Sequence, residues 1–154
     1  MKLIPFRDVI LVKKPKTFWG KIAKFFLKSK YSHSEYVIDD WHTFGTDLSN
    51  PACIHNFGYN MADIEIWRYK WDISDEQKEK LTEFIQKSTK TKYDWLEALC
   101  LGLGFKYRGK DSNYVCISLI LKAMEYAGLL PVNTYKNYSD FSVFTKGLYF
   151  TKMS

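Results

Sequence analysis

Short runs of strand character crowd the first half of the chain, and this crowding constrains the fold more than any other feature. They are DVILVKK (8–14), YSHSEYVID (31–39), HTFGTDL (42–48) and DIEIWRYKW (63–71). A strand period of two puts Tyr31, His33, Glu35 and Val37 on one side of the second run. The same period turns Ile64 and Ile66 one way in the fourth. Asp39-Asp40 reads as a turn, which makes HTFGTDL a hairpin partner of the run before it. Residues 49–62 show no such pattern and read as a loop.

Helical periodicity fills the rest. KTFWGKIAKFFLKSK (16–30) reads as an amphipathic helix with Thr17 as N-cap. Ser74 and Gln77 form a capping-box pair ahead of a helix whose buried stripe is Leu81, Phe84 and Ile85. YDWLEALCLGLGF (93–105) reads as a shorter helix ended by Gly102 and Gly104. A polar loop, KYRGKDSN (106–113), leads to a helix starting near Cys116 and stopped by Gly128 and Pro131. The tail FSVFTKGLYFT (141–151) reads as one or two strands, or a loop, against the sheet. No repeat or linker interrupts the chain, so one α+β domain over 1–154 is expected, a small antiparallel sheet with helices packed around it.

Composition narrows the function classes. With 46% hydrophobic residues the chain builds a core without disulfides. Cys53, Cys100 and Cys116 are odd in number and lack framework spacing, which points to reduced thiols. The N-terminus meets Pro5 and charges at 7 and 8, too early for a signal peptide. The run from Ile117 to Leu130 is broken by Lys122 and Glu125 and is too short to span a bilayer. A cytoplasmic or virion-associated protein is therefore expected.

The net charge of +6 suits an anionic partner, or serves solubility alone. Lys21, Lys24, Lys28 and Lys30, preceded by Lys13, Lys14 and Lys16, form a basic helix face over 17–30 that suits an anionic surface. It lacks the interleaved aromatics and glycines of a single-strand groove, which argues against nucleic acid.

The candidate chemistry centres on Cys116. Asp111, Ser112 and Asn113 are cap-type residues just upstream, so the thiol falls near a helix N-terminus. Unpaired N–H groups there lower a thiol's pKa and can bind an oxyanion. A buried cysteine of the core is the alternative, and position alone does not separate the two. His33 is the candidate base, with Glu35 on its face to orient the imidazole. His42 and His55 have weaker surroundings. Cys53-Ile54-His55 lacks a second ligand pair, so no metal site is expected. GLGF (102–105) follows a helix, which excludes a dinucleotide loop.

Four stretches also carry a resemblance when taken in order: RDVILV (7–12), YSHSEYVI (31–38), YDWLEAL (93–99) and YVCISLILKAMEYAGL (114–129). The order resembles the circularly permuted branch of the NlpC/P60 papain-like superfamily, the YiiX-like proteins and their phage relatives, over nearly the whole chain. The resemblance implies a papain-like fold with Cys116 as nucleophile and His33 as base. It implies a polar third residue, for which Glu35 ranks first and Thr46 or Asp47 are the alternatives. It departs at Ile117-Ser118, where relatives carry Ser-Glu after the cysteine.

The implied activity is a thiol hydrolase of amidase or peptidase type, without metal or organic cofactor. It would act on an amide or ester, such as a cell-wall peptide, through an acyl-enzyme. Two rivals remain: a catalytically silent module, for instance a phage particle component contacting other virion proteins, and a lipid-directed acyltransferase or lipase.

Overall fold

The computed structural model describes residues 2–14, 21, 29–47, 49–102, 113–137 and 141–153. The basic helix expected over 17–30 lies almost wholly outside the described residues. Lys30 is described, and it pairs with Glu65 at 3.3 Å, so it is not a spare cation on a basic face.

Six strands form one antiparallel sheet: β1 (Asp8–Val12), β2 (His33–Val37), β3 (His42–Gly45), β4 (Cys53–Asn56), β5 (Ile64–Tyr69) and β8 (Phe150–Lys152). Their order across the sheet is β4-β3-β2-β1-β5-β8. β1 lies inside the sheet and is covered on both faces, so DVILV is buried throughout instead of alternating with polar residues. Val9 and Leu11 enter the main core, while Ile10 and Val12 join Val37, Ile64 and Ile66 in a smaller cluster on the other face.

The stretch 49–62 is not the plain loop its pattern suggests. It contains β4, an edge strand paired with β3, and a 3-10 turn over Met61–Asp63. β4 escaped the pattern because Cys53 and His55 on its half-buried positions face a polar cluster instead of an apolar core. The tail differs as well: a short helix, α5 (Ser142–Thr145), precedes β8, which closes the outer edge of β5.

The helices pack on the main-core face. α1 (Asp75–Ser88) begins with the expected capping box, Gln77 N–H donating to Ser74 Oγ at 3.2 Å and Ser74 N–H to Gln77 Oε1 at 3.0 Å. α2 (Trp95–Gly102) is capped by Asp94, whose Oδ1 accepts the Glu97 N–H at 2.9 Å. A short parallel pair, β6 (Lys92–Tyr93) with β7 (Asn113–Tyr114), then delivers the chain to α3 (Cys116–Tyr126).

Nearly every side chain from Cys116 to Leu121 is buried, because α3 runs through the core between α1 and strands β2 and β3. It ends in a Schellman motif: Leu129 N–H donates to Met124 O at 2.8 Å and Gly128 N–H to Glu125 O at 2.9 Å. Gly128 sits at φ +71°, a conformation that disfavours a side chain. Tyr69 on β5 fixes this end through its hydroxyl, 2.6 Å from Leu129 O. α4 (Thr134–Asn137) follows.

Candidate active site

The site forms where the N-terminus of α3 meets the start of β2. Cys116 is the first residue of the helix and is 5% exposed. Asn113 does not cap it, since it belongs to β7, and Asp111 and Ser112 lie outside the described residues. The N-cap is Val115, whose side chain can accept no hydrogen bond. Among the described residues, no side chain therefore takes the first N–H groups of the helix beside the sulfur. The Val115 N–H is satisfied from within the helix, donating to Ser118 Oγ at 3.0 Å. Ser118 thus performs half of a capping box, and its hydroxyl lies 3.3 Å from Glu97 Oε2.

His33 opens β2 and lies close enough to Cys116 for each group to shift the other's titration. Its Nε2 lies 3.0 Å from Glu35 Oε1. The alternation read from the sequence holds within the strand, where His33, Glu35 and Val37 share a face of β2, but Tyr31, ahead of the strand, packs in the main core instead.

Glu35 is 3% exposed and is approached by side chains from three further segments. Thr43 on β3 donates to Oε2, Tyr59 donates to Oε1 at 2.5 Å, and His55 Nε2 on β4 approaches Oε1 to 3.2 Å. Gly45 makes room for the group, because a Cβ there would meet Glu35 Cγ at 3.1 Å and His33 Nε2 at 3.7 Å.

The electrostatics follow from burial and these contacts. Burial opposes charge on Cys116, but the hydrogen bond and charge of His33 outweigh it and hold the thiol below its ordinary pKa. Ser34 beside it lowers the thiol further. Burial likewise disfavours the imidazolium, yet Cys116 and Glu35 push His33 up to about 10. Glu35 resists its own burial through His33, His55 and Thr43, which keep it well below the usual carboxylate range. Together these shifts favour a thiolate–imidazolium pair over the neutral pair, beside a carboxylate. Such a group can attack an electrophilic carbon and return a proton to what leaves.

Cys116, His33 and Glu35 are thus brought together. Thr46 and Asp47 are not: the Thr46 hydroxyl donates to Asn50 O at 3.2 Å, and Asp47 Oδ1 accepts the Ser49 and Asn50 N–H groups at 2.6 and 2.8 Å. Both serve the turn between β3 and β4, so Glu35 is the group that holds the imidazole. His42 pairs with Asp39 at 2.8 Å, away from the thiol.

Sequence reasoning missed Thr43, Tyr59 and the place of His55. Thr43 had a signal, since a hairpin over Asp39-Asp40 puts it across from Val37, on the Glu35 face. Tyr59 had none, coming from an irregular segment.

No family model matches the chain, and no curated protein matches it by sequence. Its fold is similar to that of a solved structure, the metalloprotein YiiX from Escherichia coli O157:H7, at 12% identity and a TM-score of 0.56. The match covers 97% of this chain and 96% of that one. The chain therefore has a YiiX-like α+β fold. Among its described residues, no group of three or more His, Cys, Asp and Glu side chains is arranged to hold a metal ion. No helix among them is long and apolar enough to cross a membrane.

Proposed function

We propose that the protein is a thiol hydrolase of permuted papain-like type, acting on an amide or ester through an acyl-enzyme at Cys116. The observation that carries this reading is the Cys116 thiol at the first turn of α3, paired with an imidazole that a buried carboxylate orients. Attack forms the S–C bond on the acyl carbon and places the carbonyl electrons on its oxygen. The N–H groups at the uncapped start of α3 receive that charge. As the tetrahedral species collapses, the bond to the leaving group breaks and the His33 imidazolium gives that group its proton. Water then adds to the thioester, with neutral His33 taking its proton, and the acid departs as the thiolate–imidazolium pair reforms. Glu35 stays ionised throughout, fixing the ring and balancing its charge.

The full-length likeness to YiiX supports the fold this reading requires, and the order and spacing of the four sequence stretches support the site. Incubation with p-nitrophenyl acetate followed by intact mass measurement tests it. A single acetyl adduct mapped to Cys116, accumulating faster than it hydrolyses and absent in Cys116→Ala, is expected. A folded protein in which Cys116 does not acylate under any of a series of activated esters and anilides would instead mark a silent module.

A further inference from the structure

Glu35 is approached by two imidazoles, and the mechanism above uses only one. His55 lies on the edge strand β4, opposite Thr43, while Cys53 lies opposite Gly45. That register sets both side chains on the face that carries Glu35. His55 Nε2 is 3.2 Å from Glu35 Oε1, and its Nδ1 is 3.4 Å from Cys53 Sγ. The Nε2 atom is buried and has no aligned hydrogen-bond partner among the described residues, and Glu35 Oε1 is the charge it faces.

The chemistry of Cys53 fixes the ring's protons. Burial first, then Asp47 and Glu35, push this thiol above its ordinary pKa, so it keeps its proton and donates to His55 Nδ1. A ring that accepts at Nδ1 carries its hydrogen at Nε2, facing the carboxylate. The result is a continuous line: Cys53, His55, Glu35, His33, Cys116.

We propose that His55, held by Cys53, is a second imidazole on Glu35 and a positioning residue for the Cys116–His33 pair. It takes up part of the Glu35 charge and so sets how much of it His33 receives. This inference rests on the thiolate–imidazolium reading of the site. The other titratable groups facing the cluster are Tyr59 after β4, Asp47 in the β3–β4 turn, Tyr93 on β6 and Cys116 on α3.

Carboxymethylation of Cys116 by iodoacetate, resolved by peptide mass across pH, reads the effect. An anionic reagent slows when the imidazolium loses its proton, so the alkaline limb reports His33. In His55→Leu, one competing donor is gone, and the limb moves up by about half to one pH unit. In His55→Gln, which keeps an N–H at similar reach, the limb stays at the wild-type position. A limb that stays put or falls in His55→Leu overturns the proposal.

The ring 15N spectrum gives a second, independent readout that does not need Cys116 to react. It shows the Nε2–H tautomer in the wild type and a loss of that preference in Cys53→Ala. A wild-type Nδ1–H tautomer overturns the arrangement. The two possible failures are distinct: a wild-type Cys116 that alkylates like an ordinary thiol contradicts the hydrolase reading itself. A Cys116 that reacts well below neutral pH, with an alkaline limb that His55→Leu does not raise, contradicts only the role of His55.

Discussion

At the scale of single residues, the site depends on one charge and one missing side chain. Glu35→Gln keeps the shape but removes the charge that stabilises the His33 imidazolium. The alkaline limb of Cys116 carboxymethylation is expected to fall by more than about one pH unit, opposite in sign to the effect of losing His55. Gly45→Ala tests the missing side chain. A Cβ 3.1 Å from Glu35 Cγ must push that carboxylate or the strand by a few tenths of an ångström. Acylation of Cys116 is expected to slow by roughly threefold to tenfold, with thermal stability little changed. A rate equal to the wild type would mean that the carboxylate has slack. Of this geometry, strand alternation tied His33 to Glu35 and a helix start located the thiol, but only the family resemblance paired Cys116 with His33. Glycine at 45 was not legible in the sequence, since its reason is a contact with residues ten or more positions away.

At the scale of elements, the start of α3 is held by a buried polar group with its own titration. Glu97 on α2 is 6% exposed, and Asp94 beside it is equally buried. Burial first, then the charge of Asp94, push Glu97 up to about 7. A folded pKa above the unfolded value means that stability is fully present below about 4.5 and is lost as pH rises through about 7. The loss is at most about 3 kcal/mol. Glu97→Gln cannot ionise, so its urea midpoint is expected to exceed that of the wild type above neutral pH and to vary less with pH between those values. Equal midpoints at pH 8 would contradict the account. The sequence disclosed these helices well, because α1 carries a capping box and α3 ends on Gly128 with its Schellman bonds. It disclosed β4 poorly: an edge strand whose inward residues are Cys53 and His55 offers no apolar alternation to read.

At the scale of the whole molecule, the sheet is the frame on which the thiol and its base meet, and its inner strands are tied by an ion pair far from the chemistry. Asp8 on β1 is fully buried and takes Arg68 Nε and Nη2 of β5 at 2.7 and 2.8 Å, with the Ile4 N–H at 2.8 Å. Asp8→Ala leaves the guanidinium and that N–H without their carboxylate, and a loss of about 3 kcal/mol in unfolding free energy is expected. The pH profile of Cys116 should not move in the same variant, since the pair lies outside the site. A shifted profile would show that sheet and site are coupled. The α+β class and the strands β1, β2, β3 and β5 could be read from the chain, whereas β4 and the strand order could not. Only packing decides that β8, the last strand, closes the edge beside β5 instead of pairing elsewhere.

The central claim, that Cys116 is a thiolate because His33 is beside it, is tested most directly by alkylating the folded protein with iodoacetamide from about pH 4 to about pH 9. Site-resolved mass spectrometry separates Cys116 from Cys53 and Cys100. The account predicts that Cys116 reacts well below neutral pH in the wild type, and that in His33→Ala the same limb moves above that of an ordinary thiol, because burial then acts unopposed. A wild-type Cys116 that begins to react only near the pKa of a free cysteine, or a His33→Ala variant with the wild-type limb, would contradict it.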